Sequence, residues 1–242
     1  MQGAYNWAEN LDKTFEDHGF CKSRTDPQIH SRVYGDKFTL ISTWTDNILG
    51  VSSTAKGEKL AKSQLSASYK IKDLGEAKLI LGMHIDRDPI IGNITLFQRA
   101  YYECMLKRFN LENSLPKSTP LPPGLILMAE DCPNMPEEVN KMKSTLYQEA
   151  LGSLIWLQVT TRPNILYAVT LLSHFAHNLG KSHWTALKHI LAYIKGMMNY
   201  GIMYKADSKL NPIGYVDSNF ADCKNTHYSH FHCGWRTSIM RK

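Results

Sequence analysis

Six prolines fall between Leu115 and Pro136 (Pro116, Pro120, Pro122, Pro123, Pro133 and Pro136). Each fixes φ and removes a backbone N–H, so neither a helix interior nor a central strand can run through this stretch. The 242-residue chain is therefore divided by a linker expected to lie over the surface, and the segments on either side carry different patterns.

The front segment mixes helical and strand periodicities. Trp7, Leu11 and Phe15 stand four apart and predict one helix ended by Gly19. The β-rich runs 37–44 and 48–52 flank Thr45-Asp46-Asn47, which predicts a hairpin with an acidic residue at its tip. A helix is expected over 56–69, where Leu60, Ala61, Gln64, Leu65 and Ser68 recur at helical spacing. Runs at 78–85 and 94–97 predict a second hairpin with a longer loop, followed by a helix over 98–109 that stacks Tyr101, Met105 and Phe109.

Behind the linker the pattern is helical. Helices are expected over 146–160, 165–177 and 182–196, separated by Pro163 and Gly180, with Ser182 as an N-cap. Apolar residues of the last two recur at spacings of three and four (Ile165, Ala168, Val169, Leu172; Trp184, Leu187, Leu191, Ile194), so each has one face to bury. A strand over 212–217 then delivers Asp217.

A hydrophobic content of 43% is enough for ordinary cores, and a net charge of +6 favours an anionic partner. No basic leader precedes an apolar run, and the most apolar stretch, 151–159, is interrupted by Gln158, so neither secretion nor membrane spanning is expected. Five scattered cysteines without a Cys-x-x-Cys pair fit a reducing, intracellular compartment. Cys223, His227, His230, His232 and Cys233 cluster in the tail without the spacing of a zinc finger, so no zinc is expected.

An ordered series of blocks resembles the copia-type retrotransposon reverse transcriptase. Trp44-Thr45-Asp46-Asn47 resembles the family's Y-x-D-D box, and Lys72-Asp73-Leu74-Gly75-Glu76-Ala77 with Leu81-Gly82-Met83 resembles its K-D-L-G-E-A…L-G-M block. Ser118-Thr119-Pro120-Leu121, Ala150-Leu151-Gly152-Ser153-Leu154, Thr161-Arg162-Pro163-Asn164, His183-Trp184 and Tyr193-Ile194-Lys195-Gly196 follow in the family's order. Gly214-Tyr215-Val216-Asp217 resembles the opening of its ribonuclease H, so the resemblance runs from about Trp7 to about Cys223.

The resemblance implies an α+β fold: the back of a reverse transcriptase palm and the start of the thumb over 1–115, the proline-rich linker over 116–144, a helical thumb and connection over 145–205, and a truncated ribonuclease H edge over 206–242. It also implies nucleotidyl transfer by two divalent ions, Mg²⁺ or Mn²⁺, held by hard oxygen ligands such as aspartate. Asp46 is the metal-binding and catalytic candidate, Asn47 the degenerate second position, and Asp217 the metal-binding candidate of an incomplete ribonuclease H site. The family's third aspartate is expected upstream of Met1. An amide oxygen lacks the charge that makes carboxylate ligation strong, so the isolated chain is expected to be inactive. Read alone, Asp46-Asn47 is an ordinary turn; the flanking blocks change that for ancestry, not for activity.

Implied partners are an RNA template, an RNA–DNA hybrid and deoxynucleotides, with self-association through exposed palm strands as a further expectation. The candidate nucleic-acid contacts are Trp44, Gly82, Met83, Arg99, Lys107, Arg108, and the series Lys181, Lys188 and Lys195, which shares one helix face at seven-residue spacing. A solvated helix face accounts for that series equally well, and a non-catalytic nucleic-acid-binding protein is the alternative function.

Overall fold

The chain is mixed α+β and divides into two compact units, Met1–Ala77 and Lys78–Lys242. The computed structural model describes residues 2–45, 47–206, 213–216, 231–234 and 238–241. Among them no helix is long and apolar enough to cross a membrane.

The first unit is an antiparallel meander carrying two helices on one face. Helix α1 (Gln2–Asp17) is followed by β1 (Cys21–Lys22), β2 (Ile29–Tyr34), β3 (Lys37–Trp44), β4 (Asn47–Ser52) and α2 (Ala55–Ser68), with sheet order β1-β2-β3-β4. As the spacing predicts, α1 buries Leu11 and Phe15 and ends before Gly19, whose φ of 77° suits glycine. Thr54 caps α2 by accepting from the Gly57 N–H.

Residues of β3 alternate strictly: Thr39, Ile41 and Thr43 point into the core, while Phe38, Leu40 and Trp44 are exposed. The core of this unit joins Leu11, Phe15, Phe20, Ile41, Ala61 and Leu65. Polar groups enter it as well. Arg32 is buried, stands over the Phe20 ring, and donates to the His18 carbonyl and Gln64 Oε1, each at 2.9 Å.

The second unit opens with β5 (Leu79–Ile80), β6 (Met83–Arg87) and β7 (Ile94–Phe97), then α3 (Arg99–Arg108). The expected continuous run 78–85 is broken: Ile80 pairs with Met83, and the intervening Leu81 and Gly82 both have positive φ, 49° and 76°. Two left-handed residues in a two-residue loop make a tight hairpin turn.

The stretch expected as linker, 116–144, contains a helix of its own, α4 (Pro136–Lys143), and is followed by α5 (Tyr147–Thr160), α6 (Leu166–Ser173) and α7 (Lys181–Gly196). Helix α6 is shorter than expected, because a 3-10 turn over Pro163–Ile165 precedes it and it stops at Ser173. The N-cap of α7 is Gly180 rather than Ser182, and the cap is closed by His183, whose Nδ1 accepts from the Gly180 N–H at 2.9 Å. No side chain fits at 180, since a Cβ there would stand 2.0 Å from the Asp131 carbonyl oxygen.

Strand β8 (Tyr200–Tyr204) returns to pair with β7, and β11 (Ser238–Arg241) pairs with β8, giving the order β11-β8-β7-β6-β5. The strand expected around 212–217 is β9 (Ile213–Val216), which pairs with β10 (Phe231–Gly234). The helical core includes Tyr102, Leu106, Leu154, Leu157, Ile165, Val169, Leu172, Leu187 and Ile190.

The linker is docked rather than loose. Its Lys117 N–H donates to the Ala192 carbonyl at 3.2 Å, the Thr119 carbonyl lies 3.0 Å from His189 Nε2, and Leu127 is buried in the core.

Candidate nucleic-acid interface and polymerase box

The box hairpin is defined by its register. Trp44 pairs with Asn47 as the terminal rung of β3 and β4, so the connection is two residues long and Asn47 is the first residue of a strand, not the third of a turn. Thr45 takes a left-handed φ of 51°, as short hairpin connections require. Asp46 lies outside the described residues, as do Asp217, Cys223, His227 and His230.

Trp44 and Asn47 are both exposed, and strand alternation puts them on the sheet face opposite α1 and α2, together with Phe38, Leu40 and Val51. That face is open and largely apolar. The turn is braced from α1: the Trp7 indole N–H donates to the Thr45 carbonyl at 3.4 Å, and its ring meets Tyr69 edge-on at 5.1 Å. Trp7 reads in the sequence only as a core residue of its helix, so nothing there reveals this bracing role.

Asp73 of the K-D-L-G-E-A block accepts from the Gly75 N–H at 2.9 Å and pairs with Lys62 at 3.0 Å. The Gly75 backbone bond, then Lys62, hold its carboxyl below the usual carboxylate range. In the second unit, Gly82 is exposed at the β5–β6 turn and Met83 is half-buried at the start of β6.

The six cationic candidates have different partners. Arg99 donates to Glu103 at 2.9 Å and to Asn199 at 3.2 Å, and Arg108 is paired with Glu149. The Lys195 ammonium donates to the Ser114 carbonyl at 2.7 Å and to the Glu112 carbonyl, holding the segment that leads into the linker. Lys188 is 5.8 Å from the Trp184 ring centroid. Lys107 and Lys181 are exposed on α3 and at the start of α7. The seven-residue spacing thus gives one helix face but three different roles.

The remaining family blocks occupy junctions. Tyr193 Oη accepts from Asn164 Nδ2 at 2.8 Å, and a Cβ on Gly196 would meet Pro116 at 3.3 Å. His183 is fully buried and stacked on Phe175 with ring centroids 4.0 Å apart; burial lowers its pKa, opposed by Asp131.

A family model described as reverse transcriptase (RNA-dependent DNA polymerase) matches residues 1–123. The chain is 34% identical over 221 residues to the Retrovirus-related Pol polyprotein from transposon TNT 1-94 of Nicotiana tabacum, covering 91% of this chain and 17% of that protein. It is 30% identical over 211 residues to the Retrovirus-related Pol polyprotein from transposon RE1 of Arabidopsis thaliana, covering 87% of this chain and 14% of that protein. It is also 30% identical over 186 residues to the uncharacterized mitochondrial protein AtMg00810 of Arabidopsis thaliana, covering 77% of this chain and 73% of that one. The chain therefore spans less than a fifth of the two Pol polyproteins it matches. No solved structure matches it.

Proposed function

Because the chain belongs to the copia-type retrotransposon reverse transcriptase family, we propose that it keeps the duplex-holding surfaces of that polymerase while its box is too weakly charged for nucleotidyl transfer by the isolated chain. The observation that carries this reading is Asn47, exposed on the terminal rung where the family's box has its second aspartate.

Two-metal transfer needs hard, anionic oxygen donors. The box offers one carboxylate, Asp46, and one neutral amide, Asn47. Among the described residues, which do not include Asp46, no group of three His, Cys, Asp or Glu side chains could hold a metal ion. This donor set does not fit a Mg²⁺ or Mn²⁺ pair, so no bond-making step is assigned to it.

In this reading Met1–Ala77 is the palm portion, and its open apolar face with Trp44 lies under the primer end. The turn at Gly82 and Met83 and the α3 cations Arg99, Lys107 and Arg108 form the thumb-side grip on an RNA–DNA hybrid, with Lys181 and Lys188 extending it. The helices α5 to α7 are the connection region, and β9 leads toward a ribonuclease H edge at Asp217. Binding by such a surface is driven by counterion release and falls steeply with salt.

The test is primer extension on an RNA template by the wild-type chain, Asp46→Ala and Asn47→Asp, with hybrid binding measured in parallel over a range of salt. Binding that weakens with salt, with no more extension by wild type than by Asp46→Ala, is the expected result. Wild-type extension that disappears in Asp46→Ala would reverse the conclusion about activity, and no binding at low salt would remove the holding role.

A further inference from the structure

The second unit buries an arginine whose partners are hydroxyl and carbonyl oxygens rather than a carboxylate. Arg162 is 1% exposed. Its Nε donates to Tyr102 Oη at 2.7 Å, its Nη2 donates to the Tyr200 carbonyl at 2.8 Å and to the Met197 carbonyl, and its guanidinium carbon stands 4.8 Å from the Tyr102 ring centroid.

The network continues in one direction. Tyr102 Oη accepts from Arg162 and gives its own hydrogen to Thr161 Oγ1 at 3.0 Å, which in turn donates to Gln98 Oε1 at 2.7 Å. Gln98 is the N-cap residue of α3, and both it and Thr161 are fully buried. One chain of hydrogen bonds thus joins α3 on one side to the turn between α7 and β8 on the other.

Burial of a charge is a poor way to gain stability, since apolar side chains of similar volume often do as well. A guanidinium supplies something they cannot, a planar fork that fixes several oxygens at set angles. The two carbonyls it holds lie where β8 begins. Strand β8 pairs with β7 at Leu96↔Ile202 and Ile94↔Tyr204, and β7 pairs with β6 at Ile85↔Leu96.

We infer that Arg162 is a positioning residue for duplex binding: it sets the angle between the β5–β8 meander, with Gly82 and Met83 at its first turn, and the cationic face of α3. The link to duplex binding rests on the function proposed above. Tyr102 ties Arg162 to α3, and the Met197 and Tyr200 carbonyls tie it to the meander through β8.

The experiment compares the full chain with Arg162→Lys, Tyr102→Phe and, as a control for plain destabilisation, Leu187→Ala from the same core. Amide exchange is followed at 94–96 and 202–204, and affinity is measured for an RNA–DNA hybrid. A lysine keeps the charge but cannot reach Tyr102 and both carbonyls together. Arg162→Lys is expected to lose about tenfold in protection at those amides and about tenfold in hybrid affinity, with the salt dependence unchanged.

Tyr102→Phe is expected to move both readouts in the same direction by less, and Leu187→Ala to lower protection evenly without changing affinity. An even loss of protection in Arg162→Lys, like that of the control, overturns the inference. Local loss of protection with unaltered affinity also overturns it, because placement would then not bear on the duplex. If the wild-type chain binds no hybrid, it is the proposed function that fails, and the exchange pattern still decides whether Arg162 places the meander.

Discussion

The indole N–H of Trp7 and the carbonyl of Thr45 are 3.4 Å apart, so the first helix holds the turn that leads into Asp46. The same ring packs edge-on against Tyr69, whose hydroxyl lies 2.9 Å from Thr14 Oγ1. Trp7→Phe keeps the ring contact and loses the donor, and is expected to cost under about 1 kcal/mol. Trp7→Ala removes both, and roughly 2 kcal/mol is expected in a urea titration of the first unit. Equal effects of the two variants would show that the indole N–H contributes all of the stability and the ring none.

The three lysines of α7 are distinguishable. Lys181→Met removes an exposed charge and is expected to reduce the salt slope of hybrid binding by about one, with stability unchanged. Lys195→Met removes the donor to the Glu112 and Ser114 carbonyls and is expected to cost roughly 1–3 kcal/mol while leaving the salt slope alone. Urea midpoints and binding isotherms at several salt concentrations check both. A lowered slope in Lys195→Met would place its ammonium on phosphate instead.

Two buried histidines, one in each unit, make both units sensitive to acid. His30 stands with Nε2 3.1 Å from Asp12 Oδ1, yet burial lowers its pKa more than Asp12 raises it, and Lys22 lowers it further. His183 is shifted the same way by burial, against Asp131. With folded values below the ordinary 6.5, the unfolded chain takes up more protons as pH falls through that value. Stability is therefore full above this range and declines as pH drops below it. Denaturant midpoints at pH 7.5 and 5.5 are expected to fall for the wild type, and to fall less for the second unit in His183→Gln, even though that variant starts lower because its cap is lost.

Leu81 adopts a left-handed conformation that costs an L-residue with a Cβ about 1–2 kcal/mol, and it precedes Gly82 in a two-residue turn. Asn-Gly is the favoured pair for such a turn. Leu81→Asn is expected to stabilise the second unit by up to about 1 kcal/mol, since lost burial of the half-exposed leucine offsets part of the gain. A lower urea midpoint in the variant would mean that the leucine side chain outweighs its backbone strain.

Helices α1, α2, α3, α5 and α7 were legible because their apolar residues recur every three or four positions and bury one face. Strand β2 was not, because its pattern is inverted: His30 and Arg32 face the core while Val33 and Tyr34 are exposed. Polar residues point inward there because a carboxylate, a carbonyl and an aromatic ring wait for them. Helix α4 hid behind prolines, although Pro136 is its first residue, where a missing N–H costs nothing. Strand β8 is short and contains Gly201, where a Cβ would stand 2.5 Å from the Leu96 carbonyl oxygen; a glycine that permits close strand approach reads from sequence as a strand breaker.

At the candidate site, the sequence located the hairpin but put Asn47 in the turn, and the register moves it into the strand. Cationic residues were found by spacing, which says nothing about who satisfies them. Folding separates Lys195, occupied by two carbonyls, from the exposed Lys181. The T-R-P-N block was recognisable as a family mark, and the purpose of its arginine emerges only from the carbonyls it meets some 35 residues later, at Met197.

The pairing of Ile94 with Tyr204 spans 204 − 94 = 110 residues, whereas every rung of the first unit's sheet closes over a short local loop. During synthesis the first unit can complete its sheet as soon as β4 has left the ribosome, but β7 must wait for all of α3 to α7 before its outer partner exists. Until then β7 presents an unsatisfied edge to every neighbouring chain. Strand β8 thus closes the edge that the nascent protein must keep from aggregating.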